Sequence, residues 1–229
     1  MNYRYETHCH TKPVSRCGQA TVRETLEFYK SLGYDGVFIT NHFLDGNIGI
    51  DWDKPVKEKL DFYFSDYEEG VRIADEIGIK VFLGVEMSYG GTDFLVFGLD
   101  KKWWYDHIDI LEVRKSRQLP YFMEEGALVV QAHPFREAGY IDHIRLFPRG
   151  VEGVEVLNAD RTDFENRMAN IYAEEYGHLK TAGSDNHWAS GAKRLAGLEC
   201  EEAIEDVADF IKKLREGKMK IFTIENPQE

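Results

Sequence analysis

Short apolar runs alternating with longer amphipathic stretches govern what this chain can fold into. YRYETHCH (3–10), GVFITNH (36–42), KVFLGVEMS (80–88), DFLVFGL (93–99, after the Gly90-Gly91 turn), ALVVQAHPF (127–135), GVEVLN (153–158), KTAGSDNH (180–187) and KIFTI (220–224) read as strands. Between them, 21–34, 57–77, the region near 116–125, 163–176 and 202–216 read as helices; Leu26, Phe28, Tyr29 and Leu32 form the apolar face of the first. Runs such as GVFIT and ALVVQ are continuously apolar, as happens when both faces of a parallel sheet are covered. The repeating β-α order therefore predicts an α/β fold, favouring an α/β barrel. Segment 136–150 has no clear period and is expected to form a short helix plus a loop over the site. The 229 residues suit one domain, and no linker or internal repeat divides them, so 1–229 is expected to be a single domain.

Charge narrows the function. Lys and Arg number 28 against 41 Asp and Glu, a net of −13, which opposes binding to duplex nucleic acid through a general basic surface. Bound divalent ions can still reverse the field at one site. No apolar run reaches the roughly 18 residues of a membrane span, and MNYRYETHCH lacks the pattern of a signal peptide, so a cytoplasmic location without membrane contact is expected. Cys9, Cys17 and Cys200 have no CxxC spacing and read as free thiols.

The histidines carry the functional argument. His8 and His10 close the first expected strand, His42 the second, His133 a middle one and His187 a late one. In parallel α/β folds such ends gather on one face and build the active site. One residue separates His8 from His10, so on a strand both imidazoles point the same way and Cys9 points away. A satisfied histidine pair would have the same spacing. Glu86 ends GVE on a strand too apolar to hold an unpaired carboxylate; its alternative is a buried ion pair with Lys or Arg. Asp185 and His187 in GSDNH repeat the alternate spacing, although Ser184-Asp185 also suits a helix cap. Taken together, His8, His10, His42, Glu86, His133, Asp185 and His187 point to metal binding, since each alternative would otherwise have to hold independently at a strand end. His107, His143 and His178 read as surface or helix residues, with His143 close enough in sequence to His133 to approach substrate.

At these positions the chain resembles the PHP (polymerase and histidinol phosphatase) superfamily of metal-dependent phosphoesterases, through THCHT (7–11), ITNH (39–42), GVE (84–86), AHP (132–134) and GSDNH (183–187). The resemblance implies a distorted (β/α)7 barrel of the PHP type with two to three divalent metal sites for Mn, Zn or Fe. It implies that His8, His10, Glu86 and Asp185 bind the first metal. Glu86 would bridge to a second held by His133, and His42 and His187 would bind a third. Three departures stand out. Arg16 lies in the loop where the family often has Asp or His, which leaves the third site a ligand short. Phe94 lies near a common His position, which does the same to the second. Asn41 replaces an Asp beside His42.

Metals with open positions acidify bound water toward a pKa of about 7, and the hydroxide would attack a phosphoryl group. Glu86 and Asp185 would act through the metals, and Arg136 and Arg16 are the expected cations for phosphate oxygens, unless they form ordinary surface ion pairs. The expected function is hydrolysis of a phosphate mono- or diester on a small molecule. Amidohydrolase-like amide or lactone hydrolysis and a noncatalytic metal-binding regulatory domain are the alternatives. The residues leave the oligomeric state open.

Overall fold

The computed structural model describes residues 2–225, so the expected domain 1–229 is described except at residue 1 and 226–229. The strands are β1 (Tyr3–Cys9), β2 (Gly36–Ile39), β3 (Lys80–Tyr89), β4 (Thr92–Phe97), β5 (Leu128–Ala132), β6 (Gly153–Asn158), β7 (Leu179–Gly183), β8 (Arg194–Cys200) and β9 (Lys220–Glu225). The helices are α1 (Val22–Ser31), α2 (Val56–Ile77), α3 (Lys101–Asp106), α4 (Lys115–Glu124), α5 (Asp163–Tyr176) and α6 (Val207–Arg215). Local chemistry sets several ends. Thr21 with Glu24 and Thr162 with Glu165 form capping boxes that start α1 and α5, and left-handed Gly78 and Gly177 stop α2 and α5. None of these helices is long and apolar enough to cross a membrane.

The sheet runs β7-β6-β5-β4-β3-β2-β1-β8-β9, so β1 to β7 follow one another in chain order as a wall. That wall nearly closes. Asp185 N–H donates to His8 O (2.7 Å) and His10 N–H to Asn186 O (3.0 Å), while Glu6 Oε1 accepts from both His8 N–H (2.8 Å) and Ser184 N–H (2.9 Å). The result is the expected α/β barrel, but not a wholly parallel one. β4 is antiparallel to β3 and β5, because the Gly90-Gly91 turn folds β3 back into a hairpin. β8, which the periodicity did not reveal, runs antiparallel to β1 and β9. Its Gly197 packs so closely on β1 that an added Cβ would lie 2.2 Å from Tyr5 O, and that glycine interrupts the strand signal.

Inside the barrel, Phe38 stacks on Phe82, meets Phe97 edge-on and packs beneath Phe210 of α6. The next inward positions toward the other end carry polar groups, Glu86 on β3 and Asp93 on β4. β1 changes sides midway. Tyr5 packs into this inner cluster, whereas Cys9 joins the outer cluster of Leu26, Tyr29 and Val37, with a register irregularity between Glu6 and Cys9. A one-residue slip exchanges strand faces, and here it turns His8 and His10 inward. The segment 136–150 forms no helix, contrary to expectation. Gln131 holds it instead, donating to Arg145 O (2.7 Å) and accepting from Phe147 N–H (3.1 Å).

Gly183 marks a close approach of β7 to β1, since an added Cβ would lie 2.4 Å from His8 Cβ and 3.0 Å from His8 N. Gly183→Ala should therefore destabilise the chain by about 1–3 kcal/mol. Urea denaturation checks this, and an unchanged midpoint would contradict the closure of the wall at this point.

Candidate metal centre

All seven side chains singled out as ligands meet at one mouth of the barrel. His8 Nε2 lies 3.2 Å from Glu86 Oε1 and 3.4 Å from Asp185 Oδ1. His10 Nε2 lies 3.2 Å from both Glu86 Oε2 and Asp185 Oδ1. His133 Nε2 is 3.7 Å from each of these two carboxylates. The His42 and His187 rings each stand 4.4 Å from the His10 ring. A cavity of about 640 Å³ opens onto the group, lined by Cys17, Asp45, Asp93, Arg136, Tyr140 and Arg161 besides His42, Glu86, His133, Asp185 and His187. His133 (φ 27°) and Asp185 (φ 52°) adopt left-handed backbone just past their strands, which is why those strands end earlier than the apolar pattern suggested.

Hydrogen bonding fixes which nitrogen His8, His10 and His187 offer. Ser15 Oγ donates to Asn41 Oδ1 (2.9 Å), so it can only accept from His10 Nδ1 (3.0 Å), leaving His10 Nε2 with a lone pair toward the mouth. His8 Nδ1 lies 2.9 Å from Glu155 Oε1, and His187 Nδ1 lies 2.7 Å from Asp185 O; both acceptors require the proton on Nδ1. The inward atoms are thus ring nitrogens and carboxylate oxygens. Three of them, His42 Nδ1, Glu86 Oε2 and His133 Nε2, are buried without a hydrogen bond, although the first two approach to 2.7 Å. Donors that converge without bonding one another fit a cation held between them.

The charges are strongly coupled. Burial opposes ionisation of Glu86, but His42, His10 and His8 outweigh it and hold the carboxyl well below its usual range. Asp185 is likewise held well below, by His8, His10 and His133 against burial. Burial would depress His8, yet Glu155, Asp185 and Glu86 raise it well above the ordinary value. Burial and the neighbouring His187 and His42 push His10 down to about 3. Within reach of one another lie His8, His10 and Asp185; His8, Glu86 and His133; and His10, Cys17, His42 and His187. Nitrogen, oxygen and sulfur donors in such groups suit divalent ions.

Several expectations need correction. Arg16 is exposed, and Cys17 rather than Arg16 lines the cavity, because the turn closed by Gly18 N–H on Ser15 O (3.0 Å) aims the cysteine inward. Phe94 is fully buried against Phe147, while its neighbour Asp93 faces the mouth 3.8 Å from His133 Nε2, so this strand does present a donor to the second group. Asn41 does not face the ligands. It clamps the loop after β1 by accepting from Thr11 N–H (2.7 Å) and donating to Thr11 Oγ1 (2.8 Å) and to Asp66 (3.2 Å), where a second carboxylate would repel Asp66. Arg136 does line the cavity, with Nη1 3.2 Å from Asp93. His143 is exposed beside Asp142.

Sequence reasoning also missed Glu155 and Arg161. Glu155 is buried, and its second oxygen accepts from His133 N–H (3.1 Å) and Asn158 Nδ2 (2.9 Å), so one carboxylate orients two metal-facing histidines. Its signal was present, a Glu in the apolar strand GVEVLN, the same signal that singled out Glu86.

The PHP-associated family model matches residues 163–219, from α5 past α6. No curated protein matches the chain. Among solved structures it is similar to a two-domain protein from Bacteroides vulgatus containing a predicted PHP-like metal-dependent phosphoesterase, at 13% identity and a TM-score of 0.69, over 97% of this chain and 65% of that one. It is also similar to an amidohydrolase from Chromobacterium violaceum (14%, TM-score 0.57, 94% of this chain and 97% of that one). A lesion-specific endonuclease from Pyrococcus furiosus resembles it as well (13%, TM-score 0.57, 96% and 58%). The chain thus spans under two thirds of the Bacteroides and Pyrococcus proteins. At such identities the likeness shows the fold, which is the PHP-type barrel implied by the motifs.

Two outcomes follow from this geometry. Glu155→Gln should weaken divalent-metal affinity about 10- to 100-fold by loosening His8 and His133, as read by competition with a chelator. Because an ion must displace the proton that Glu155, Asp185 and Glu86 hold on His8, metal uptake near neutral pH should release protons and tighten as pH rises. Calorimetry in two buffers of different ionisation enthalpy measures the release, and none at all would contradict this charge arrangement.

Proposed function

We propose that this chain, a barrel of the PHP superfamily, is a metal-dependent phosphoesterase acting on a small-molecule phosphate mono- or diester. The observation that supports this most is that His42, Glu86, His133, Asp185 and His187 line one cavity, with His8 and His10 directly behind Glu86 and Asp185, while buried donor atoms remain without hydrogen bonds. In this reading His8, His10, Glu86 and Asp185 hold a first divalent ion. Glu86 and His133, with Asp93, hold a second, and His42 and His187 approach a third. Such ions, when bound, supply Lewis acidity and lower the pKa of the attacking water.

The protein's own groups hold the substrate. Arg136 and Arg161 line the cavity, and the Nε of each is buried with no hydrogen-bond partner among the described residues. Asp93 engages Nη1 of Arg136, and Asp160 engages Nη2 of Arg161, which orients both guanidiniums at the cavity that would receive the phosphate. A cavity of about 640 Å³ suits a metabolite-sized ester. The net charge of −13 counts against an extended nucleic-acid substrate. The reading includes a reducing cytoplasm, in which Cys9, Cys17 and Cys200 form no disulfide.

Purified protein loaded with Mn²⁺ or Zn²⁺ should hydrolyse p-nitrophenyl phosphate or its bis-ester. Asp185→Asn should reduce both the rate and the bound metal by about a hundredfold, with unchanged circular dichroism. Hydrolysis of carboxylic esters or amides alone would favour the amidohydrolase alternative. Tight metal binding with no turnover of any of these would favour the noncatalytic one.

A further inference from the structure

Cys17 has no part in the phosphoesterase reading, yet the fold places it with care. Its sulfur and one ring nitrogen from each of His10, His42 and His187 all lie within 4.8 Å of one another. His10 is already committed, with Nε2 directed at Glu86 and Asp185 and Nδ1 at Ser15 Oγ. His187 has Nδ1 engaged by Asp185 O, so its free lone pair is on Nε2. Cys17, His42 and His187 therefore form a group of their own beside the first. All three are half-buried and all three line the cavity.

We propose that Cys17, His42 and His187 form a third metal position with a thiolate ligand, and that this ligand makes the position select a thiophilic ion such as Zn²⁺ over Mn²⁺ or Mg²⁺. The proposal rests on reading the barrel mouth as a metal centre. Binding forms a sulfur–metal bond and passes the thiol proton to solvent. The selectivity follows from ligand softness. The other two groups offer imidazole and carboxylate donors, which accept Mn²⁺ readily, whereas a thiolate favours zinc and discriminates against ions that prefer oxygen. One barrel mouth would thus hold ions of two kinds. Arg16, one residue earlier, would put no ligand and no opposing charge into the site, since it is exposed.

The test uses the full chain and two readouts independent of turnover. Loaded with Co²⁺, the protein should show near-ultraviolet thiolate-to-cobalt charge-transfer absorption. Cys17→Asp should abolish that absorption while keeping the same cobalt content, because a carboxylate can replace the sulfur. On the unsubstituted chain, iodoacetamide should label Cys17 after chelator treatment, and labelling should be blocked by Zn²⁺ but not by Mn²⁺; Cys9 and Cys200, both buried, serve as internal controls. Bound cobalt without the absorption, or labelling indifferent to zinc, would overturn Cys17 as a ligand and leave the metal centre standing. Failure to bind any cobalt would overturn the centre itself, and this proposal with it.

Discussion

The Glu86 carboxylate is 1% exposed, with ring nitrogens of His8 and His10 at 3.2 Å and of His42 at 2.7 Å. Burying such a charge alone costs several kcal/mol, so the barrel can hold it only where cations gather around it. Protonated imidazoles or metal ions can fill that role. The organisation of the mouth follows from this demand: histidines arrive from β1 and from the loops after β2 and β5 to within 3.7 Å of the same carboxylate, and His187, after β7, packs on the His10 ring.

Placing those groups requires departures from regular structure, and the rest of the fold supports them. β1 slips register so that Tyr5 seals the apolar interior while His8 and His10 face the mouth. His133 and Asp185 accept left-handed backbone, held by a bond from His133 N–H to Glu155 and another from Asp185 N–H to His8 O. Glu6 ties β1 to β7 beneath the site; burial pushes its carboxyl up to about 7 despite hydrogen bonds from Ser184 and His8. The cluster of Phe38, Phe82, Phe97 and Phe210 fills the interior below, which makes the barrel a packed support rather than a channel.

Much of this was legible in the chain because ligands at strand ends leave two overlapping signals, apolar periodicity and a misplaced polar residue. Glu86 in GVE carried both, and so did Glu155 in GVEVLN. Asp93 and Phe94 show the limit of reading positions one at a time. Both belong to DFLVFGL, and only the pairing of Asp93 with Ser88 and Ala132 tells which of the two faces inward. Arg16 and Cys17 are a harder case, since a turn rather than a strand sets their directions and no periodicity applies. β8 escaped because its alternation is broken at Gly197, whereas the antiparallel hairpin of β3 and β4 was carried by the Gly90-Gly91 turn, since two residues are too few for a parallel crossover.

Anomalous diffraction from crystals grown with Zn²⁺ or Mn²⁺ tests the account most directly, because it locates ions without reference to activity. The account predicts a strong peak among His8, His10, Glu86 and Asp185 and another beside Glu86 and His133. A mouth without peaks in metal-saturated crystals, its imidazoles hydrogen-bonded directly to Glu86 and Asp185, would contradict it. The cluster would then be a buried charge network and not a metal centre.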